Sequence, residues 1–396
     1  MKSLSEVASS VKASSTLAID SVAKQMKADG LDVIGFGTGE PDFPTPDNIV
    51  AAAERAMAEH KTKYTLASGI PQLKEAACYR MKEDCGLDYQ PENCFIASGA
   101  KHNVYLALQA LLNPGDEVLL PAPFWVSYIE MVRLAGGTPV VVYAGEEEHF
   151  KVSAAKLEAA ITPKTKCMIL NSPSNPTGMM YTEAELRALA EICVKHDLYV
   201  IADEIYYSLI YDDNKFVSFA SLGDEVKERT ILINGVSKSY AMTGWRVGFA
   251  LANREITGVM SRYASHSTGA PSTISQWAAV EALRGQQETR ETMRKAFEAR
   301  RNYIVERMNK IDGVGCLKPQ GAFYVMMNLK EILGETIGGI KITDSDVFAK
   351  AFLDQQMVAV VPGSGFFAPN YVRWSYATSM ENIEKGLDRL EKFLKG

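Results

Sequence analysis

The sequence has little that would tie it to a metal, a disulfide framework, a membrane or a nucleic acid. Its 6 cysteines (Cys78, Cys85, Cys94, Cys167, Cys193, Cys316) form no C-x-x-C pair, and its 5 histidines (His60, His102, His149, His196, His266) show neither H-E-x-x-H nor H-x-x-E-H spacing. Zinc sites and disulfide scaffolds carry such spacings, so no metal is expected and the cysteines read as free thiols in a reducing cytoplasm. No run approaches the ~20 apolar residues that a membrane helix needs. The start, Met1-Lys2-Ser3-Leu4-Ser5-Glu6, has no apolar core of a secretory leader, so a cytoplasmic location is expected. Basic blocks are absent too: 42 Lys and Arg against 48 Asp and Glu leave a net charge of -6. A phosphate backbone is bound through clustered cations, so nucleic acid is not an expected partner, and neither is a membrane.

What is present is 396 residues, 47% hydrophobic and 23% charged. That composition supplies a large core without a staple, and the length fits two or three domains. After an amino-terminal arm, short apolar runs alternate with amphipathic stretches. Strands are expected at Phe95 to Gly99, Glu117 to Leu120, Pro139 to Tyr143, Cys167 to Leu170, Tyr199 to Ala202, Thr230 to Ile233 and Val247 to Ala250. Helices are expected at Asn103 to Leu112, at about Val126 to Ala135, and at Glu183 to His196 behind the N-cap Thr182. The breaks are Asn113-Pro114-Gly115-Asp116, the turn Pro121-Ala122-Pro123 and Gly136-Gly137. Continuous apolar strands between amphipathic helices specify an α/β fold, its mostly parallel sheet covered on both faces.

A charged helix over about Gln286 to Lys310 breaks this rhythm. Beyond it the pattern is mixed α+β, with strands at Ala322 to Met326, Met357 to Val361 and Tyr371 to Tyr376. Helices are expected near Ser345 to Gln355 and from Met380 onward. The expected division is an arm over 1–44 packing with the small domain, a large domain over 45–290 and a smaller α+β domain over 291–396.

The chemistry concentrates where strands end. Asn234-Gly235-Val236-Ser237-Lys238-Ser239-Tyr240-Ala241-Met242-Thr243-Gly244-Trp245-Arg246-Val247-Gly248 places a lysine after an apolar strand, among small hydroxyl and glycine residues, with an arginine following. An isolated surface lysine lacks such neighbours. This one suits an amine held against a phosphorylated aldehyde, with Ser237 and Arg246 available to the phosphate. Asn171-Ser172-Pro173-Ser174-Asn175-Pro176-Thr177-Gly178 follows a second strand, and taken alone reads as a turn. Ala202-Asp203-Glu204-Ile205-Tyr206 ends a third. An acid leaving the carboxyl end of a buried strand points into the crevice where open α/β sheets bind ligands; a helix N-cap is the alternative reading.

The order Asn175, Asp203, Tyr206, Lys238, Arg246 resembles the fold-type I pyridoxal-phosphate enzymes, specifically the class I aminotransferases, and within them the bacterial subgroup Ib aspartate aminotransferases. The resemblance runs from Lys12-Ala13-Ser14-Ser15-Thr16 through Gly39-Glu40-Pro41-Asp42-Phe43 and Lys63-Tyr64 to Val372-Arg373-Trp374-Ser375-Tyr376-Ala377. It implies a seven-stranded-type sheet in the large domain and pyridoxal 5'-phosphate as cofactor. It implies that Lys238 attaches the cofactor and carries the substrate's proton, and that Asp203 pairs with the pyridine nitrogen. Tyr206 and Asn175 would bond the ring oxygen, and Trp125 would lie on the ring face. Gly99, Ala100 and Lys101, at the start of a helix, would cradle the phosphate with Ser237 and Arg246. Tyr64 would reach it from the other subunit of a homodimer with shared active sites. Arg373 would clamp the substrate α-carboxylate beside the backbone at Gly39.

For the distal carboxylate the resemblance implies Thr16 and Lys101, with Lys12 near the same arm. The expected reaction is ping-pong transfer of the amino group of aspartate to 2-oxoglutarate. Another specificity, prephenate or aromatic, and a lyase on the same fold are the alternatives. A transcription regulator on this fold needs an added DNA-binding domain, for which an arm beginning almost at Met1 leaves no expected room. One departure stands out: position 235 is Gly where many relatives of class I carry a hydroxyl.

Overall fold

The structure, a computed structural model, describes residues 2–12 and 15–395, without the side chains of 15–18 and 20. Its central feature is a seven-stranded sheet. In chain order the strands are β1 (Cys94–Ala97), β2 (Glu117–Ala122), β3 (Thr138–Tyr143), β4 (Thr165–Asn171), β5 (Tyr199–Asp203), β6 (Thr230–Gly235) and β7 (Gly248–Leu251). Their order across the sheet is β1-β7-β6-β5-β4-β2-β3. Only β7 runs against its neighbours; the other pairs are parallel. The expected α/β class and mostly parallel sheet are what the chain forms.

Burial on both faces explains the unbroken apolar runs. Along β6, Ile231 and Ile233 face one helical layer with Val104, Leu108 and Met260, whereas Leu232 faces the other with Leu73, Ala77 and Ala279. That second layer contains three helices the sequence pattern did not mark: Asp47–Ala58, Pro71–Cys85 and Thr273–Arg284. Their buried faces are rich in alanine (Ala52, Ala53, Ala56, Ala76, Ala77, Ala278, Ala279, Ala282). Small side chains allow close helix approach but give weak apolar periodicity. Helix Arg254–Ser267, on the first layer, was also unmarked. Helix Glu183–Lys195 is the opposite case. Thr182 and Glu185 form a reciprocal capping box, and Leu186, Leu189, Ala190 and Cys193 bury one stripe.

Several expected boundaries move. The strand ending at Leu120 continues through Pro121 and Ala122, paired with Val142 and Tyr143. On its other side β2 is paired with β4 only as far as Leu119, so Pro121 sits where no ladder donor is required. The strand expected to Gly99 stops at Ala97, and the helix expected from Asn103 begins at Ala100, behind Gly99 at φ 89°. The expected strand Met357 to Val361 divides in two. Val358–Ala359 pairs in parallel with Ile34–Gly35, and Val361–Pro362 pairs with Tyr371–Ser375.

Beyond helix Glu288–Met308, Val361–Pro362, Tyr371–Ser375, Tyr324–Asn328 and Gly315–Cys316 form a four-stranded antiparallel sheet in that order. Helices Glu288–Met308, Ser345–Gln356 and Met380–Lys395 contribute Phe297, Ile304, Phe352, Leu387 and Phe393 to its core. Phe36 joins them against Trp374, ring centroids 4.5 Å apart. Among the described residues no helix is long and apolar enough to cross a membrane.

Candidate functional site

The carboxyl ends of β4, β5 and β6 open into a cavity of about 390 Å3 between the two sheets' elements. Each strand, or the chain just leaving it, delivers polar groups there. β4 ends in Asn171, β5 in Asp203, and the chain leaving β6 carries Ser237 and Lys238.

Asp203 is 5% exposed. One carboxylate oxygen accepts from the Tyr128 hydroxyl at 2.6 Å, the other from the Ile205 backbone N–H at 3.3 Å. Burial raises its pKa above the ordinary carboxylate value, while those two bonds and the Lys238 charge oppose the rise. Asn171 fixes the neighbouring turn. Its amide nitrogen donates to the Asp203 carbonyl at 2.7 Å, and its oxygen accepts from the Asn175 backbone N–H at 2.8 Å.

Lys238 Nζ donates to the Gly39 carbonyl. Burial lowers its pKa to about 8; Glu40 and Asp203 oppose the shift, and the Arg246 and Arg373 charges add to it. Arg373 is 2% exposed and spans the cavity wall, donating to Asn175 Oδ1 at 2.9 Å and to the Gly37 carbonyl at 2.7 Å. Its Nε is buried without a hydrogen-bond partner among the described residues. Its guanidinium lies 4.5 Å from the Tyr324 ring centroid, and the Tyr324 and Tyr206 hydroxyls are 2.9 Å apart.

On the opposite wall, Arg246 takes a left-handed conformation, φ 55°. Its side chain bonds the Thr243 carbonyl at 2.9 Å and the Ser98 carbonyl at 3.2 Å. This holds the guanidinium over the start of helix Ala100–Leu111, whose first backbone N–H groups have no partner within the helix. A β-carbon on Gly99 would lie 2.5 Å from Arg246 Nη2, and one on Gly248 would lie 2.4 Å from the Ala100 nitrogen. Both glycines are therefore required by close approach. The departure at Gly235 has the same explanation, since a β-carbon there would meet the Gly248 Cα at 2.9 Å. Lys101 Nζ sits 4.8 Å from the Trp125 ring centroid, its pKa lowered by burial and then by Arg246.

Of the residues singled out from sequence, Gly39, Ala100, Lys101, Trp125 and Asn175 line this cavity. So do Asp203, Tyr206, Ser237, Lys238, Arg246 and Arg373. Gly99 borders it through Arg246. Tyr64 is elsewhere, fully exposed on the surface. Thr16 falls in helix Ser15–Ala28, but its side chain lies outside the described residues; Lys12 is exposed. Sequence reasoning missed Tyr128, Tyr324 and Lys24, which also line the cavity. For Tyr128 a signal existed, because it stands three residues after Trp125 at the start of a helix, and the two rings meet edge to face at 5.4 Å.

The family model for class I and II aminotransferases matches residues 31–390. The chain belongs to that family. It is 48% identical to the aspartate aminotransferase of Bacillus subtilis (strain 168) over 392 residues, covering 99% of each chain. It is likewise 48% identical to the aspartate/prephenate aminotransferase of Cereibacter sphaeroides, with 100% of both covered. A solved structure titled aspartate aminotransferase from Thermus thermophilus with maleate superimposes at a TM-score of 0.94, with 40% identity and 100% of both chains covered.

Aminotransferases of this family depend on pyridoxal 5'-phosphate, and the cavity fits that group. It offers an amine of lowered pKa, a buried carboxylate across from it, and an anion cradle made of a helix start and an arginine that tolerates no β-carbon at Gly99.

Proposed function

We propose that this aminotransferase takes aspartate as amino donor and 2-oxoglutarate as acceptor, in a ping-pong cycle run by one set of residues. The observation that carries the reading is the convergence of Lys238, Asp203, Arg246 and Arg373 on one cavity. Four charged side chains from three separate segments are expensive to gather unless anionic ligands and a basic ring offset them.

Bound pyridoxal 5'-phosphate supplies an aldehyde that condenses with amines and a ring that draws electrons from the substrate Cα. The chain's own residues divide the remaining work. Arg246, Ser237 and the backbone of Gly99, Ala100 and Lys101 hold the phosphate, with Tyr64 contributed to the neighbouring site of a homodimer. Asp203, whose carboxylate form the Tyr128 hydroxyl favours, would hold a proton on the pyridine nitrogen. Tyr206 and Asn175 would bond the ring oxygen, and Trp125 would cover the ring. Arg373 orients the α-carboxylate as a planar fork, beside the Gly39 backbone. Lys238 Nζ would attach the cofactor and, once released, would take and return the Cα proton. With a pKa near 8, a useful fraction is neutral at physiological pH.

For the distal carboxylate we assign Lys101, whose ammonium stands at the cavity rim against Trp125, together with Thr16. The relatives' names, and maleate as a dicarboxylate on one of them, support this assignment. Acceptance of prephenate is the second reading, because a relative of equal identity carries that name. The proposed division is a cofactor domain over 45–290 with a smaller domain from 291–396 and the arm 1–44, in a cytoplasmic enzyme whose six cysteines are all free.

The test is the half-reaction. Aspartate added to the holoenzyme without acceptor should convert the visible cofactor band to the amine-form band, and 2-oxoglutarate should restore it. No conversion with aspartate, but conversion with another donor, would overturn the assignment. Including prephenate among the acceptors decides the second reading.

A further inference from the structure

The segment over residues 36–45 has no regular secondary structure, yet two of its backbone carbonyls hold two of the cations assigned to the substrate, Lys238 and Arg373. The Gly37 carbonyl accepts from Arg373 at 2.7 Å, and the Gly39 carbonyl accepts from Lys238 Nζ. A chain without helix or sheet bonds cannot keep two carbonyls aimed unless something outside the site pins it. On the amino-terminal side the pin is visible. Phe36 donates to the Ala359 carbonyl and accepts from the Ser375 backbone N–H, at 2.8 and 2.9 Å.

On the other side stands an ion pair that the mechanism does not use. Arg300, from helix Glu288–Met308, grips Asp42 with both nitrogens, Nη1 to Oδ1 at 2.7 Å and Nη2 to Oδ2 at 3.0 Å. Most surface pairs contribute little, but this one is two-pronged and sheltered on the arginine side, with the Asp42 side chain 30% exposed. The Arg300 side chain is only 13% exposed, and its guanidinium lies 5.2 Å from the Phe43 ring and 5.4 Å from the Phe297 ring. Neither Asp42 nor Arg300 lines the cavity. Further along, Thr243 donates to Glu40 at 2.6 Å, and Thr45 donates to the Ala241 carbonyl at 2.8 Å. The segment is therefore a strap stitched to the Lys238–Arg246 loop on one side and clamped to the helix on the other.

We propose that Asp42 and Arg300 are positioning residues for transamination. Their clamp holds the strap so that the Gly37 and Gly39 carbonyls keep Arg373 and Lys238 aimed at substrate. The clamp lines no part of the cavity, and it acts through backbone carbonyls three and five residues away from Asp42. This rests on the roles given above to Lys238 and Arg373.

The test uses the full-length holoenzyme with Asp42→Asn, which keeps the shape and removes the charge, and Arg300→Lys, which keeps the charge and removes the fork. In Asp42→Asn, amide exchange of the peptide covering 36–43 should quicken roughly tenfold, as expected when about one net charged hydrogen bond stops holding a local opening. KM for aspartate should rise and kcat should fall, each about fivefold to tenfold, because the strap aims both Arg373, which binds the substrate, and Lys238, which carries the proton. Arg300→Lys should fall between wild type and Asp42→Asn in both readouts. A lower melting temperature with unchanged exchange at 36–43 and unchanged KM would overturn the proposal, leaving a merely structural ion pair. If Asp42→Asn does not fold, Arg300→Lys alone decides on the same criteria. Lys238→Ala is carried in parallel. Activity in that control would refute the site roles, whereas failure of the strap shows only in the Asp42 and Arg300 variants.

Discussion

Tyr128→Phe removes one oxygen from a site that otherwise keeps its shape. The hydroxyl is buried and donates to Asp203 Oδ2 at 2.6 Å, while among the described residues the other bond to that carboxylate is the longer one from Ile205. A hydrogen bond to a buried charge is worth about 1.5–3 kcal/mol, which corresponds to ~1–2 pKa units. Burial already raises the Asp203 pKa. Losing Tyr128 should raise it further, so that protonation disables the carboxylate at a higher pH. The assay is kcat/KM for aspartate from pH 5 to 9, with cofactor affinity measured alongside. The acid limb should move up by about 1–2 units, and affinity should fall at pH 6 more than at pH 8. In the cofactor-free protein the linkage has a definite sign. A carboxyl whose folded-state pKa exceeds its unfolded value loses stability as pH rises between the two, so the variant should be penalised most at the alkaline end of that window. An acid limb unchanged within about 0.3 units would refute the claim that Tyr128 keeps Asp203 ionised.

Glu204 gives a second pH test away from the chemistry. Burial raises its pKa to about 8; its Oε1 accepts from Ser218 and Phe219, and its Oε2 has no partner among the described residues. Wild type should lose stability relative to Glu204→Gln as pH rises from about 4.3 toward 8, by up to a few kcal/mol, and parallel denaturation midpoints would contradict this. Gly99→Ala puts a β-carbon 2.5 Å from Arg246 Nη2 at φ 89°, so phosphate-side binding should suffer. Cofactor dissociation by equilibrium dialysis should weaken at least tenfold, about the cost of one misplaced charged hydrogen bond. Lys101→Ala should reduce kcat/KM for aspartate more than for alanine; equal losses would leave it a phosphate-loop residue only.

The sheet and much of the site were legible because their signals are local. Lys238 follows β6 within three residues, Asp203 ends β5, and Ser237 and Arg246 share the lysine's loop. The Arg373–Asn175 and Asp42–Arg300 contacts join segments 198 and 258 residues apart, and no local pattern encodes such pairings. Tyr128 was hidden for another reason. A tyrosine opening an amphipathic helix is ordinary core material until its hydroxyl is seen to reach Asp203. The alanine-faced helices escaped notice because their close packing uses side chains too small to give a strong periodicity. Tyr64 is the converse case. The resemblance implied a role for it, yet the single chain leaves it exposed, and the role proposed for it would require a second subunit.

The most direct measurement is chemical capture of the cofactor where it is attached. Borohydride reduction of the holoenzyme, followed by digestion and mass mapping, should place a single pyridoxyl group on Lys238, with none in Lys238→Ala. A pyridoxyl group on Lys101 or on any other lysine, or retention of the protein-bound absorbance by Lys238→Ala, would contradict the assignment of Lys238 as the centre of the site.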